Sequence, residues 1–177
     1  MLQQGGIIAY PTEAVYGLGC DPADISAVKK ILAIKRREKE KGLILIAANF
    51  DQLKPFLQTL EQEIEEKLLS SWGDLERAIT WLVPVKEGVS DYLTGQYNSL
   101  AVRVSYHPLV KELCEKFGGA IVSTSANRAA GEAARSSEQV KQIFNNELDL
   151  VLEGQTDVNA QPSEIRDALT GKIIRAS

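Results

Sequence analysis

The sequence has few of the residues from which metal and redox sites are usually built. It holds one histidine, His107, and two cysteines, Cys20 and Cys114, which lie far apart and form no Cys-x-x-Cys pair. A histidine-rich metal site is thereby excluded, and we expect both thiols to be free and buried. His107 precedes a proline at the end of a predicted strand, so we expect a surface loop residue rather than the base of a Ser-His-Asp triad.

Features of membrane, secreted and nucleic-acid-coating proteins are also missing. No apolar run reaches the roughly 18 residues that a membrane-spanning helix needs. The first residues do not join a basic segment to an apolar one, so we expect no secretory signal and predict a cytoplasmic protein. Only 6% of the residues are aromatic and the formal net charge is −4, which argues against an extended nucleic-acid-binding surface.

The remaining composition is that of an ordinary globular domain. The chain has 177 residues, of which 44% are hydrophobic and 25% are charged, and this length is enough to bury a core. No repeat, low-complexity tract or linker divides it, so we predict a single domain over residues 1–177. Apolar β-branched runs alternate with helical patterns, which predicts an α/β fold whose sheet is buried on both faces.

Periodicity places the individual elements along the chain. Helices are predicted from about Asp24 to Ile34, from a capping box at Thr59 to Leu69, around residues 110–117, and from a capping box at Ser136. Strands are predicted near residues 6–10, 43–47, 79–83, 99–104, 120–123, 149–152 and 172–175.

A loop rich in polar residues and glycine follows the first predicted strand. It runs from Pro11 through Thr12 and Glu13 to Gly17 and Gly19. Gly17-x-Gly19 lacks the third glycine of a dinucleotide-binding fingerprint, and the chain has no Gly-x4-Gly-Lys-Ser/Thr motif of a P-loop. An ordinary turn with glycines at positive φ explains this loop as well as a ligand site does.

Seven basic side chains fall between Lys29 and Lys41, at the end of the first predicted helix. Basic residues at a helix C-terminus interact favourably with the helix dipole, which is one explanation for them. The other explanation is that Lys35 and Arg37 bind a polyphosphate at the mouth of the sheet. An arginine fork and a lysine point charge both suit phosphate oxygens.

Two further polar stretches lie beside predicted strands. Ser123 to Asn127 reads Ser-Thr-Ser-Ala-Asn at the end of strand 120–123. A local turn or cap explains one or two of these side chains, whereas four together suit an anion or a sugar phosphate. The stretch from Asn159 to Asp167 is a weaker candidate, because a capped turn explains it equally well.

Five stretches of the sequence, in this order, resemble the YrdC/TsaC family of threonylcarbamoyl-AMP synthases. They read AYPTEAVYGLGCDP, LAIKRREKEKGLILIAAN, SLAVRV, STSAN and PSEIRDALTGKIIR. The resemblance extends from Ile7 to Arg175 and is to the short, single-domain bacterial branch. It implies an α/β (mixed α+β) fold, in which a twisted, mixed and mostly parallel sheet with flanking helices surrounds a concave, positively lined cleft.

The resemblance also implies a reaction and its reactants. L-threonine, bicarbonate and ATP would give threonylcarbamoyl-AMP and pyrophosphate, with Mg²⁺ entering on ATP rather than in a metal site of the protein's own. A downstream threonylcarbamoyl-transferase complex would then modify adenosine in tRNA. The synthase itself is expected to be a monomer, and its cleft could also accept tRNA.

Matching motifs imply roles for individual residues. Lys35 and Arg37 match a Lys-x-Arg motif and are expected to act in catalysis, binding the ATP phosphates and stabilising the charge that develops on the α-phosphate. Thr12, Thr80 and Ser123 are expected in the pocket for threonine and carbamate. The other ATP-binding residues that the resemblance implies are Lys41, Arg103, Ser125, Asn127, Ser163 and Arg166.

The chain departs from the family pattern at several motifs, and two of these departures bear on its activity. Glu38 stands where a proline usually follows Lys-x-Arg, and residues Glu76 to Thr80 replace a Pro-Gly-Pro-x-Thr stretch. Two alternatives therefore stay open beside the synthase. One is a protein that binds double-stranded RNA or tRNA, or acts in ribosome maturation, without turnover. The other is an inactive regulatory relative that binds nucleotide.

Overall fold

A computed structural model describes residues 1–73, 77–129, 131–157 and 159–176; Glu76, in the second departing motif, lies outside them. These residues form one nine-stranded mixed sheet with flanking helices. The helices are α1 (Ile25–Lys35), α2 (Gln62–Trp72), α3 (Asp91–Thr94), α4 (Pro108–Phe117) and α5 (Ser137–Phe144). The strands are β1 (Ile8–Pro11), β2 (Tyr16–Gly19), β3 (Ile44–Ala47), β4 (Ile79–Pro84), β5 (Ser99–Val104), β6 (Ile121–Ser125), β7 (Leu150–Val151), β8 (Glu164–Asp167) and β9 (Ile173–Arg175).

The strands lie in the order β7-β1-β2-β6-β3-β5-β4-β8-β9. Parallel pairing joins β1 to β7, β3 to β5 and β4 to β8, and the remaining neighbours are antiparallel. The predicted mixed sheet is thus confirmed, but the expectation of mostly parallel pairs is wrong. Short connections such as those from β1 to β2 and from β8 to β9 allow only antiparallel pairing, since a parallel crossover needs a dozen or more residues.

One face of the sheet is covered by α1, α2 and α5 and forms the main core. Val28 of α1, Leu68 of α2 and Val140 of α5 belong to the same buried cluster as Leu45 of β3 and Trp81 of β4. Because successive side chains of a strand point to opposite faces, the neighbours of these strand residues belong to the other face.

That second face is covered only in part. Helix α4 packs Val110 and Cys114 against Ile8, Ile46 and Ile121 in a smaller buried cluster. Beyond α4 the same face is uncovered and forms the floor of a cleft. The prediction of a sheet buried on both faces therefore holds only at the α4 end.

The structure confirms two of the predicted helix starts and corrects another. Asp24 and Ser136 cap α1 and α5 by accepting hydrogen bonds from backbone N–H groups of their first turns. The predicted capping box at Thr59 is wrong, because α2 begins at Gln62. Leu57 pairs with Val85 and the Gln58 backbone N–H donates to Pro84 O at 2.9 Å, so the chain runs beside β4 before the helix begins.

The cysteines and histidine have simple structural positions. Cys20 and Cys114 are free and buried, as predicted. His107 lies in the loop directly before α4, where it is half-buried, with Nε2 3.1 Å from Gln155 O. None of the helices in the described parts of the chain could cross a bilayer; the longest, α1 and α2, have 11 residues each.

Candidate active site

A cleft of about 570 Å³ opens on the uncovered part of the sheet. Its floor is apolar and comes from neighbouring strands, through Ile44 of β3, Ala101 of β5, Leu82 of β4 and Ile165 of β8. The register places Ala101 opposite both Ile44 and Leu82, so these side chains share one face. Residues of the polar loops identified in the sequence line the sides of the cleft around this floor. The cleft is therefore the candidate active site.

Four cationic side chains from three separate parts of the chain line the cleft. Arg37 and Lys41 come from the segment after α1, Arg103 from β5 and Arg175 from β9. No carboxylate side chain of the described residues lines it. Arg103 and Lys41 pair with carboxylates that lie outside the lining, whereas Arg37 and Arg175 form no ion pair within the described residues. The lining therefore favours an anionic ligand.

The guanidinium groups are held by carbonyl oxygens of the cleft wall. Arg37 Nε donates to Gly42 O at 3.0 Å, and Arg175 Nη2 donates to Ser163 O at 2.6 Å. Burial, and then the nearby Arg175, lower the pKa of Arg37; burial, and then Arg103, lower the pKa of Arg175. Arg37, Arg103 and Arg175 line the same cleft, where a bound anion would offset the repulsion between neighbouring guanidinium groups.

Hydroxyl groups line the rest of the polar wall. Thr12, Ser123, Ser125 and Ser163 all contact the cleft. Thr12 Oγ1 donates to Val15 O at 2.7 Å, which fixes the tight loop between β1 and β2. The structure thus brings together, around one cleft, Thr12, Arg37, Lys41, Arg103, Ser123, Ser125 and Ser163 from the residues that the sequence singled out.

Lys35 does not line the cleft in this structure. It is 4% exposed, and its ammonium donates to Ser125 O, to Asn127 O at 2.8 Å and to Asn127 Oδ1 at 2.9 Å. An ammonium has three N–H donors, so all of them are used by the Ser125–Asn127 loop. Burial, and then Arg37, lower the pKa of Lys35 to about 8. In this conformation Lys35 holds a wall of the cleft rather than facing its space.

Asn127 belongs to the same support. Its Oδ1 accepts from Lys35 and, at 2.7 Å, from Ser125 Oγ, while its Nδ2 donates to Gly131 O at 2.6 Å. Its polar atoms are therefore committed to the loop, and Asn127 does not line the cleft.

Two other predicted residues also lie off the cleft wall. Thr80 is fully buried, with Oγ1 2.8 Å from Ser163 Oγ, so it supports a wall residue. Arg166 alternates with Ile165 along β8 and lies on the other face, where it pairs with Glu164 and stands 5.8 Å from the Trp81 ring centroid.

The departure at Glu38 has a local consequence. Its carboxylate pairs with Lys41 at 3.0 Å, and both side chains are largely exposed. The negative charge that replaces the family's proline therefore lies at the mouth of the cleft, against one of its cations.

Sequence reasoning missed Arg175 and Glu13. Arg175 is the last residue of the predicted strand 172–175, which follows the polar stretch 159–167. A cation at the end of that strand was the one signal that could have indicated a binding residue. Glu13 lies in the first loop and is 5% exposed; its Oε2 is 3.0 Å from Arg103 Nη1, and Ser105 Oγ donates to its Oε1 at 2.6 Å. Nothing in the sequence around Glu13 indicates that its carboxylate would pair with Arg103.

Comparisons with known proteins agree with the fold and the motifs. The family model Sua5_yciO_yrdC, described as telomere recombination, matches residues 1–177. The chain is 53% identical over 175 residues to a threonylcarbamoyl-AMP synthase of Saccharophagus degradans, covering 99% of this chain and 90% of the relative. It is 46% identical over 177 residues to a threonylcarbamoyl-AMP synthase of Cellvibrio japonicus, covering 100% and 92% respectively.

A solved structure gives the same result. The fold is similar to that of Sua5 from P. abyssi, crystallised in complex with L-threonine, with a TM-score of 0.84 and 29% identity. The match covers 94% of this chain and 48% of that protein, so the chain spans about half of its length. With the family model, the relatives and the fold in agreement, the chain belongs to the Sua5/YciO/YrdC family.

Proposed function

We propose that the chain is a threonylcarbamoyl-AMP synthase, a nucleotidyltransferase that forms threonylcarbamoyl-AMP and pyrophosphate from L-threonine, bicarbonate and ATP. The observation that carries the proposal is a cleft lined by three arginines and a lysine with no lining carboxylate among the described residues. The curated relatives at 46% and 53% identity bear this enzyme's name, and P. abyssi Sua5 was crystallised with L-threonine.

The chemistry requires two bonds to form. The threonine nitrogen condenses with bicarbonate to give N-carboxy-threonine and water. A carbamate oxygen then attacks the α-phosphorus, and the bond to the bridging oxygen breaks as pyrophosphate leaves with the electron pair. Positioning and charge stabilisation are the main requirements of such an in-line displacement, so no protein nucleophile is needed.

The cations have distinct places in this scheme. Arg37, Lys41 and Arg175 suit the triphosphate, because all three line the cleft. Burial, and then Arg175, lower the pKa of Arg37, and a bound anion would offset the repulsion between these two guanidinium groups. The resemblance implies ATP binding for Arg103 as well. Its pairing with Glu13, next to Thr12, favours the threonine end instead, where it would bind the amino-acid carboxylate.

We propose that Mg²⁺ enters as MgATP. No group of three or more His, Cys, Asp or Glu side chains that could hold a metal occurs in the described ranges. Phosphate oxygens are therefore the natural ligands, and Mg²⁺ commonly keeps waters and binds through substrate phosphates. Asn127, Thr80 and Lys35 would act on the substrates through the Ser125 loop and Ser163.

The product defines the expected partners. Threonylcarbamoyl-AMP is a reactive mixed anhydride, so we propose direct use by a transferase complex that modifies tRNA in the cytoplasm, with the synthase acting as a monomer. RNA binding without turnover stays a second candidate, because the same cations could contact a phosphate backbone. Against it stands the volume of the cleft, about 570 Å³, which suits a small ligand.

Pyrophosphate release from MgATP tests the proposal, measured with and without L-threonine and bicarbonate. We expect release only when all three substrates are present. Release without threonine would refute the proposed reaction. Binding of ATP without any release would favour the inactive relative, and RNA binding with a steep salt dependence and no turnover would favour the second candidate.

A further inference from the structure

Glu13 is a buried carboxylate with an unusual set of partners. Its side chain is 4% exposed, and both of its contacts come from one strand and the residue after it. Arg103 and Ser105 are two positions apart, so they point to the same side of the chain. Arg103 Nη1 lies 3.0 Å from Oε2, and Ser105 Oγ donates to Oε1 at 2.6 Å.

The contacts on Ser105 extend this arrangement. Ser105 is buried, and its hydroxyl also accepts a hydrogen bond from the backbone N–H of His107 at 3.2 Å. Glu13 O accepts from Asp157 N at 2.8 Å. Glu13 is therefore fixed by hydrogen bonds at Oε1 and at its backbone carbonyl. Its buried Oε2 has no hydrogen bond within the described residues and faces Arg103 Nη1 as an ion pair, so its charge can hold Arg103 on this side of the cleft.

Two substrate-facing side chains depend on this contact. Arg103 lines the cleft directly, and Thr12, the neighbour of Glu13, lines it from the β1–β2 loop. Burial alone would raise the pKa of Glu13, but Arg103 and the Ser105 hydroxyl hold that pKa below its usual range. Glu13 is thus an anion at neutral pH, and the ion pair ties the Thr12 loop to β5.

We propose that Glu13 is a positioning residue that aims Arg103 at the carboxylate of the amino-acid substrate and holds Thr12 beside it. The inference rests on the proposed function and extends it to a residue that does not line the cleft. Only Nη1 of Arg103 is committed to Glu13, so its other N–H donors are available for a second carboxylate.

A positioning role and a simple charge effect predict opposite changes in threonine binding when the charge of Glu13 is removed. Removing a carboxylate makes the cleft more positive, so an effect of charge alone would strengthen the binding of every anion. A positioning role predicts the opposite for threonine, because a misdirected Arg103 loses its contact with the substrate carboxylate. Binding of ATP, away from Arg103, should change little.

The test uses Glu13→Gln, which keeps the shape and the acceptor for Ser105 but removes the charge. We expect the KM for L-threonine to rise at least about tenfold, with the KM for ATP changing less than about twofold. Glu112→Gln is the matched control, because Glu112 is an exposed partner of Lys116 on α4. An unchanged or lower KM for threonine in Glu13→Gln would overturn the proposal.

Two more variants keep the test decisive. Ser105→Ala serves if Glu13→Gln folds poorly, because it removes one hydrogen bond to Glu13 and leaves the ion pair with Arg103 in place. We expect this variant to raise the KM for L-threonine by a smaller factor, about threefold. In an Arg103→Met background Glu13→Gln should have no further effect on the KM for threonine, since it acts through Arg103. An independent effect in that background would refute a role through Arg103.

The outcome can be separated from that of the proposed reaction. If the wild type releases pyrophosphate but Glu13→Gln has normal threonine dependence, only the positioning role fails. If the wild type releases none, the proposed reaction fails, and calorimetric titration of L-threonine into both proteins still decides the inference. Equal affinities, or no binding by either protein, would overturn it.

Discussion

At the scale of single residues, Lys35 has a structural position that differs from the role its motif implies. The Lys-x-Arg motif implies contact with ATP, whereas in the structure Lys35 supports the Ser125–Asn127 loop. Val28, Ile31 and Lys35 follow helical spacing on α1, and the two apolar members lie in the main core. Lys35 therefore continues a buried stripe, and its ammonium emerges against the Ser125–Asn127 loop. The role implied by the Lys-x-Arg motif stays a prediction, and it would require Lys35 to leave these oxygens.

The protonation of Lys35 can be measured through stability. Its native pKa of about 8 lies below the 10.5 of an ordinary lysine, so the unfolded chain binds more protons between these pH values. Stability contributed by this group then rises with pH. We expect the free energy of unfolding of the wild type, relative to Lys35→Met, to rise by roughly 1–3 kcal/mol over this range in urea denaturation.

Lys111→Met, at an exposed lysine of α4, is the matched control for the loss of one lysine charge. If the wild type gained no stability relative to Lys35→Met over this pH range, the three hydrogen bonds to carbonyl oxygens would outweigh burial and the lowered pKa of Lys35 would be refuted.

Much of the cleft lining could be predicted at this scale, and the exceptions have physical reasons. Motif residues such as Thr12, Arg37 and Ser123 do line one cleft. Arg166 does not, because the alternation of side chains in β8 turns it to the other face from Ile165. Arg175 and Glu13 depend on contacts between distant segments, which a single sequence does not display.

At the scale of elements, α3 supports the segment that carries two of the cleft cations, Arg37 and Lys41. Leu43 N donates to Leu93 O at 2.8 Å, Gln96 N donates to Glu40 O at 3.2 Å, and Lys39 pairs with Asp91. Close backbone contact is possible because Gly95 has no side chain. A Cβ at Gly95 would overlap Glu40 O, and its φ of +67° is itself unfavourable for other residues.

Gly95→Ala should therefore displace the segment around Gly42, whose carbonyl holds Arg37. We expect a loss of about 3 kcal/mol or more in the free energy of unfolding and a reduced rate of pyrophosphate release. Gly88→Ala is the matched control, because Gly88 has φ +86° but no atom within 4 Å of an added Cβ. It should cost only about 1 kcal/mol. Equal effects in the two variants would show that the contact at Glu40 does not matter.

The elements that sequence reasoning missed are those with weak local signals. β2 contains Gly17 and Gly19, and glycine disfavours strands. It forms because Gly17 and Leu18 pair with β6 while the tight 12–15 loop returns the chain to β1. β8 contains a charged pair, Glu164 and Arg166, and exists because β4 lies beside it.

At the scale of the whole molecule, the sheet joins distant parts of the chain into one body. β1 pairs with β7, and β4 pairs with β8, so each pairing spans a long stretch of sequence. The main core contains residues from Ile7 to Ala168. Within the described residues no early or late segment has a separate core of its own, because α4 and the smaller cluster rest on β1 and β3.

We therefore expect the 177 residues to unfold in a single cooperative transition, in keeping with the predicted single domain. Scanning calorimetry should give a van't Hoff enthalpy equal to the calorimetric enthalpy, with the two tryptophans reporting the same midpoint by fluorescence. Two resolved transitions would show that part of the chain forms an independent domain.

The four cations of the cleft have a consequence for the order in which the molecule becomes competent during synthesis. Arg37 belongs to the first quarter of the chain, whereas Arg175 lies in β9, which is joined to the rest of the sheet through β8 and β4. Proteins emerge from the ribosome N-terminus first. A nascent chain therefore lacks one of the four cleft cations until β9 has been made, and we expect tight binding of a polyanion only once this strand has joined the sheet.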